Sequence, residues 1–405
     1  MRLSPYSNSI GDRSMQKNLS SPAFGRLLRG NRGRQNIREG TENPARSKVK
    51  TFREEKKMKK IFALVLALCL IFALCACGNE AAPAAAPAEA PAAAPAEAPA
   101  AEAAAPASVS GNFTMGTGGE AGTYYAFGGV LASYLGQKTD LSINVVSTGG
   151  TAANIAGIDT GMYDLATVQS DVSTYAFQGT NSFAENGAIT SFSVLGALYA
   201  ETVQIVTCDA SLTSIADLKG KSVCVGDIGS GTYFNTIDVL SAYDMTIDDI
   251  TPIYQSFGDS TESIKDGKID AAFICAGAPT TAITDLSTAK QVYLISIDDE
   301  HMAKLLDACP WYASLTIPSG TYAGFDKDAV TITVKATLVA KADLDPDIAY
   351  AIVSTIFENA DAIAELHGKG AELSVEFATD GIAVPFNAGA AKYYSEKGIT
   401  VDVAG

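Results

Sequence analysis

After Arg53 the chain has no arginine, and its 405 residues hold only two histidines and one tryptophan. A bidentate guanidinium clamp for a carboxylate or phosphate is therefore excluded from everything downstream. His301 and His367 lie far apart, and none of Cys208, Cys224, Cys275 and Cys309 forms a C-x-x-C pair, which argues against a zinc site. A P-loop motif is missing. Gly116-Thr117-Gly118 begins like a dinucleotide fingerprint, but its third glycine falls at Gly122, one place late. Ser287-Thr288-Ala289-Lys290 fits S-x-x-K, yet no S-D-N or K-T-G follows. Asp164, Asp171 and Asp270 could catalyse, but the sequence gives no geometry for them, and two histidines without evident partners make no triad. Positive charge is scarce too. Beyond Cys77, 13 lysines face 40 acidic residues, a formal charge of −27, which argues against nucleic acid as a partner and for a soluble extracytoplasmic surface. The four thiols either include a Cys224–Cys275 pair, if their strands are neighbours, or are small buried groups.

What is present begins with a segmented N-terminus. Residues 1–57 carry fourteen Lys and Arg against five acids with little apolar periodicity, and read as a disordered start-site overextension. Residues 58–77 follow the order of a bacterial lipoprotein signal: Lys59-Lys60, an apolar run over 61–76, then Cys77, the expected site of lipidation. The alternative is a transmembrane anchor, since sixteen apolar residues come close to the roughly 20 that span a bilayer. Residues 78–110 are dominated by Ala, Pro and Glu. Repeated prolines forbid a long helix there, so this is a semi-extended linker that can hold a folded domain away from a membrane surface.

The remaining chain alternates short apolar β-rich runs with helix-like segments, the pattern of parallel sheets with helices on their faces. Two such series occur. The first runs through 141–146, 152–158 and 165–168; the second runs through 222–225, 232–242, 251–254, 260–265, 271–275 and 292–295. Each opens with the same device: EAGTYYAFG at 120–128 and GSGTYFNTI at 229–237, both preceded by an apolar run ending in glycine. Residues 201–207 (ETVQIVT) and 331–340 (TITVKATLVA) read as two extended segments crossing between lobes, with a helical pattern over 347–366 after them. Lobe I is expected at 111–204 and 330–405, and lobe II at 205–329.

In an open α/β sheet, ligands bind beyond the carboxyl ends of the strands, and a glycine turn leading into a helix presents backbone N–H groups to an anion. The turns at 116–123, with Gly118 and Gly119, and at 226–232 are thus candidate carboxylate cradles on facing lobes. Residues 147–154 repeat the device, with Thr151 a possible N-cap. Gln169-Ser170-Asp171 and Cys275-Ala276-Gly277-Ala278-Pro279 lie at corresponding edges. With no arginine to help, an anion must be held by backbone amides and hydroxyls, with or without a lysine; a neutral or zwitterionic ligand also fits.

Taken in order, MGTGGEAGTYYAFGGVLA (115–132), VSTGGTAANI (146–155), YDLATVQSD (163–171), DLKGKSVCVGDIGSGT (217–232), DGKIDAAFICAGAP (266–279), GTYAGFD (320–326), ATLVAKADLDPDIAYAI (336–352) and VPFNAGAAKYYSEKG (384–398) resemble the TAXI-type solute-binding subunits of TRAP transporters. The resemblance implies a two-lobed fold of the type II periplasmic-binding-protein kind, with a hinge and an interlobe cleft. It implies a monomer without cofactor or catalysis, which captures a small carboxylate or amino acid such as glutamate or 2-oxoglutarate for a membrane permease. Carried over by position, the contacts are Thr117, Thr123, Tyr124, Thr148, Gly149, Thr151, Asn154 and Gln169, with Ser230 and Thr232 across the cleft. Ala276 and Gly277 join them from the turn already described. The family commonly has histidine where this chain has Asn387. Two alternatives are an anchored serine hydrolase using Ser230 or Ser287, and an interaction protein that retained the fold alone.

Overall fold

The computed structural model describes residues 109–185 and 187–404. The expected basic arm, the signal with Cys77 and the linker up to residue 108 lie outside the described residues. Strand β1 (Ser110–Gly116) begins at Ser110, the expected last residue of the linker, one residue before the expected start of lobe I.

The first series is β1, α1 (Thr123–Lys138), β2 (Asp140–Val146), α2 (Thr151–Asp159), β3 (Leu165–Gln169) and α3 (Ser170–Gln178). It ends in the 16-residue β4 (Phe192–Thr207). The second is β5 (Ser222–Cys224), α4 (Thr232–Ala242), β6 (Thr251–Ile253), α5 (Phe257–Lys265), β7 (Ala271–Ala276), α6 (Thr281–Ala289), β8 (Tyr293–Leu294), α7 (Asp299–Ala308) and β9 (Ala313–Ile317). The chain returns along β10 (Ala329–Lys341). It closes with α8 (Pro346–Glu358), α9 (Ala360–Leu366), α10 (Val375–Thr379) and α11 (Ala388–Glu396).

One mixed sheet runs through the protein in the order β2-β1-β3-β10-β4-β7-β5-β6. Within it, β2, β1 and β3 are parallel, as are β7, β5 and β6, while β10 and β4 are antiparallel to their neighbours. The register locates the changeover between lobes: Ala336 pairs with Gln169 of β3, and Thr202 pairs both with Thr333 of β10 and with Ala276 of β7. Two long strands thus carry the chain out of one lobe and back, in place of the two separate parallel sheets that alternation alone suggests.

Strands β3 and β7 are buried along their whole length because helices cover both faces, which is why they read as continuous apolar runs. In the second lobe the period of two sorts the side chains. Ala271, Phe273 and Cys275 join Val203, Ile205, Val239 and Leu240 on one face, and Ala272, Ile274 and Ala276 join Val206, Ile283 and Leu286 on the other.

The helical pattern over 347–366 is broken at Asn359. Its Nδ2 donates to the Thr355 carbonyl at 2.8 Å and its Oδ1 accepts from the Tyr134 hydroxyl at 3.0 Å. A side chain that hydrogen-bonds its own backbone competes with the helix and here divides it in two. The helix starts as composition suggests: Asp345 Oδ1 accepts from the Asp347 and Ile348 N–H groups, with Pro346 in the first turn. Among the described residues no helix is long and apolar enough to cross a membrane.

Candidate functional site

A crevice enclosing about 520 Å³ of space, solvent at its mouth included, opens between the lobes. Strand-to-helix connections form its walls. From β1–α1 come Gly118, Gly119, Gly122, Thr123 and Tyr124; from β2–α2 come Thr148, Gly149, Gly150 and Thr151; Gln169 ends β3. Across the gap stand Asp227, Ser230, Gly231 and Thr232 of β5–α4, Ser256 and Phe257 of β6–α5, and Cys275 and Ala276 at the end of β7. Glu201, in the middle of β4, closes the floor. The repeated glycine-threonine turns therefore face one another: Gly122 and Gly231 line the same space.

Three of the expected contact residues are not on this wall. Thr117 is fully buried and donates its hydroxyl to the Val146 carbonyl at 2.7 Å. Asn154, also fully buried, donates from Nδ2 to the carbonyls of Thr117 and Thr167 and accepts from the Thr148 hydroxyl. Their polar atoms satisfy backbone groups behind the turns, as buried polar groups must. Gly277 lies behind Ala276; its carbonyl accepts from Thr123 Oγ1 at 3.0 Å, and Lys369 fills the space beside it. Thr151 is the first residue of α2 rather than its cap, and its Oγ1 accepts from the Gln169 N–H at 3.1 Å. Asn387 caps α11, accepting from the Gly389 N–H, and has no place on the crevice wall.

Four of the five helix starts at the crevice lack a side-chain cap: α1, α2, α3 and α4 begin at Gly122, Gly150, Gln169 and Gly231. The fifth, α5, is capped by Ser256, which accepts from the Asp259 N–H. Elsewhere Asp298, Asp345, Ser374 and Asn387 cap α7, α8, α10 and α11, while α6 and α9 start without a cap. The Ala152 N–H of α2 and the Thr232 N–H of α4 are taken by the Gly229 carbonyl and Ser230 Oγ, so the uncapped starts offer the crevice their other N–H groups and the positive end of the dipole. Gly150, at φ 102°, takes a conformation that favours glycine, and a β-carbon added there would lie 3.4 Å from Ser230 Cα, so the two cradles meet closely.

The lobes are bonded directly to each other. Ala152 N–H donates to the Gly229 carbonyl at 2.9 Å, and Ala282 N–H donates to the Ala121 carbonyl at 3.1 Å. Gln169 Nε2 donates to Asn235 Oδ1 at 2.9 Å and contacts Cys275 Sγ at 2.9 Å. Asn235 Nδ2 in turn reaches Asp171 Oδ2 at 3.2 Å and the Tyr312 hydroxyl at 3.0 Å, and that hydroxyl donates to Asp238 at 2.7 Å.

Burial dominates the electrostatics. Glu201 is pushed up to about 8 by desolvation, only partly countered by the Tyr124 hydroxyl that donates to it at 2.5 Å. Asp171 rises to about 7, mainly through burial, and Asp238 to about 6 for the same reason. No lysine is on the wall. Lys369, whose charge acts on Glu201, is committed to Glu372 at 2.5 Å.

All four cysteines of the described chain are free, which removes the Cys224–Cys275 pair. Their strands are neighbours, but Cys224 pairs in register with Ala272 while its sulfur meets the Ser260 hydroxyl on one face and Cys275 points to the other. Of these four, Cys208 alone is more than slightly exposed, so peptide mapping after brief labelling of native protein is expected to find Cys208 modified and Cys224, Cys275 and Cys309 only on unfolding. Fast labelling of any of those three refutes this burial pattern. Neither expected serine is hydrogen-bonded to a histidine: Ser230 Oγ accepts from the Thr232 N–H and Ser287 Oγ donates to the Thr284 carbonyl. His301 is paired with Asp298 and stacked on Tyr243, and His367 packs on Phe127.

Sequence reasoning missed Glu201, Ser256 and Phe257 as wall residues. Glu201 was read as part of a crossing strand, and 255–257 contain no glycine to mark a ligand-facing turn.

Fold and crevice together define a two-lobed α/β protein whose parallel strands all end at a shared interlobe space. The chain belongs to the NMT1-like family, whose model matches residues 115–398. Among solved structures it is similar to the alkanesulfonate-binding protein SsuA of Xanthomonas axonopodis pv. citri bound to MOPS, at 16% identity and TM-score 0.41, covering 73% of this chain and 92% of that one. It is also similar to the periplasmic aliphatic sulphonate binding protein SsuA of Escherichia coli, at 14% identity and TM-score 0.39, covering 71% and 90%. A third is an ABC transporter periplasmic binding protein from Brucella ovis with glutathione bound, at 13% identity and TM-score 0.39, covering 64% and 70%.

Proposed function

We propose that this chain is an extracytoplasmic solute receptor of the TAXI kind, which captures a small carboxylate or amino acid between its lobes and delivers it to a TRAP permease. Capture involves no chemistry on the ligand. The observation that carries this reading is the convergence of four uncapped helix N-termini on one crevice that no arginine or lysine lines. Gly118, Gly119, Gly149 and Thr123 supply backbone N–H or hydroxyl groups from one lobe, Ser230, Thr232 and Ala276 supply them from the other, and Tyr124, Thr148, Thr151 and Gln169 complete the wall. Thr117, Asn154 and Gly277 support these turns from behind. Lipidation at Cys77 and the Ala/Pro/Glu linker would tether the receptor to the outer face of the cytoplasmic membrane, where it acts as a monomer.

The test is thermal denaturation against a panel of organic acids and amino acids. A ligand at 100 times its dissociation constant stabilises the native state by about 2.7 kcal/mol, a shift of several degrees for a domain of this size. One chemical class is expected to give saturable stabilisation. No response to any carboxylate or amino acid would refute the receptor reading.

A further inference from the structure

The crevice has two chemically distinct ends. Uncapped helix starts offer hydrogen-bond donors, whereas the floor offers acceptors. Glu201 is 2% exposed, lies on the floor, and binds Tyr124 through Oε2 only. Its Oε1 has no hydrogen-bond donor among the described residues. Gln169, on the adjoining wall and also 2% exposed, has a buried Oε1 that is likewise without a donor. Gln169 Oε1 is packed against Gly231 and closed to a ligand, whereas Glu201 Oε1 is left free on the crevice lining, where an N–H or O–H group can reach it.

We infer that the ligand carries a protonated amine, which pairs with Glu201 while its carboxylate occupies the helix starts. This deepens the receptor reading and rests on it. It favours amino acids over their 2-oxo counterparts, because a keto oxygen can only accept the single proton of the neutral carboxyl, whereas an ammonium donates to the free Oε1 and pairs its charge with the ionised form.

In the free protein the Glu201 carboxyl holds a proton at neutral pH, since burial raises it to about 8. When R–NH3⁺ arrives, the carboxyl releases that proton to solvent and the ammonium takes its place, so the buried charge is paired. The groups acting on Glu201 are Tyr124 of α1, Asp171 of α3, Tyr199 of its own strand, Cys275 of β7, and Lys369 with Glu372 from the turn after α9. Asp171 opposes ionisation and Lys369 favours it. The lysine stays bound to Glu372, whose other oxygen accepts from the Ala200 N–H.

The test uses full-length protein purified in detergent, with each proteinogenic amino acid and its matching 2-oxo acid, followed by calorimetry in two buffers of different ionisation enthalpy. Expected are an amino acid bound about tenfold or more tightly than its 2-oxo counterpart, and release of close to one proton at pH 6 that vanishes near pH 9. Glu201→Gln, neutral and nearly isosteric, is expected to lower amino-acid affinity by about a hundredfold and abolish the proton release. Tyr124→Phe, which leaves the carboxyl in place, is expected to retain the release and shift its decline to higher pH; this arm stands even if Glu201→Gln fails to fold. Equal or tighter binding of the 2-oxo acid, or unchanged amino-acid affinity in folded Glu201→Gln, overturns the amine assignment while leaving the receptor reading intact. Binding of neither class overturns both.

Discussion

Gly231→Ala is expected to abolish or severely weaken ligand binding while leaving the fold of each lobe unchanged. A β-carbon at this position would lie 1.2 Å from Gln169 Oε1 and 2.4 Å from its Cδ. The amide cannot swing aside freely, because Nε2 is held by Asn235 and Cys275 and the side chain is buried. Backbone conformation is not the obstacle: Gly231 has φ −65° and ψ −26°, ordinary for alanine. The penalty therefore falls on the closed arrangement and not on α4 itself. Overpacking of about 1–3 kcal/mol corresponds to roughly a five- to 150-fold loss of affinity if capture requires closure. Calorimetry should show that loss, and solution scattering should show a larger radius of gyration than wild type at the same ligand concentration. Gln169→Ala in the Gly231→Ala background should recover closure, since it removes the atoms that clash. A variant that binds and compacts like wild type would mean that the lobes do not need this contact.

The contrast between Gly231 and Glu201 shows what can be read without coordinates. Gly231 belongs to a strand-glycine-helix device that occurs in both lobes, and local physics explains it: turns before helices need glycine, and helix starts need partners. Glu201 belongs to a strand whose alternation says nothing about a ligand. Its meaning comes from Thr202 pairing with Ala276 and Val334 pairing with Glu201, across 74 and 133 residues of chain, which places the carboxyl where the two lobes meet. Thr117 and Asn154 illustrate the converse. A polar residue beside a glycine turn looks equally suited to a ligand or to a backbone carbonyl, and only tertiary placement reveals that the carbonyls of Val146, Thr117 and Thr167 claim them. The break at Asn359 depends likewise on Tyr134, which sits on a different helix more than 200 residues earlier.

Thermal stability should fall as pH rises from about 5 to 8, opposite to the trend set by salt-bridged surface carboxylates. Asp171 has a native value of about 7 against about 3.9 for an unfolded aspartate, so between those values the native state keeps a proton that the unfolded chain has lost. Stability then declines by up to about 1.4 kcal/mol per pH unit for this group, on the order of 4 kcal/mol across the window. Glu201, at about 8, and Asp238, at about 6, act in the same direction, each raised chiefly by burial. Asp298 works the other way, held down to about 2 by hydrogen bonds from His301 and Tyr243, so its contribution is present above the unfolded value and lost only under strong acid. The two trends place the maximum near pH 4 to 5. Differential scanning calorimetry of the protein without added ligand should show the melting temperature falling on the alkaline side. Asp171→Asn should flatten that limb, because asparagine keeps the Asn235 contact without a charge to bury. A melting temperature that is flat or rises between pH 5 and 8 would show that water reaches Asp171 and Asp238, and that the lobes do not seal the Asn235 network between them.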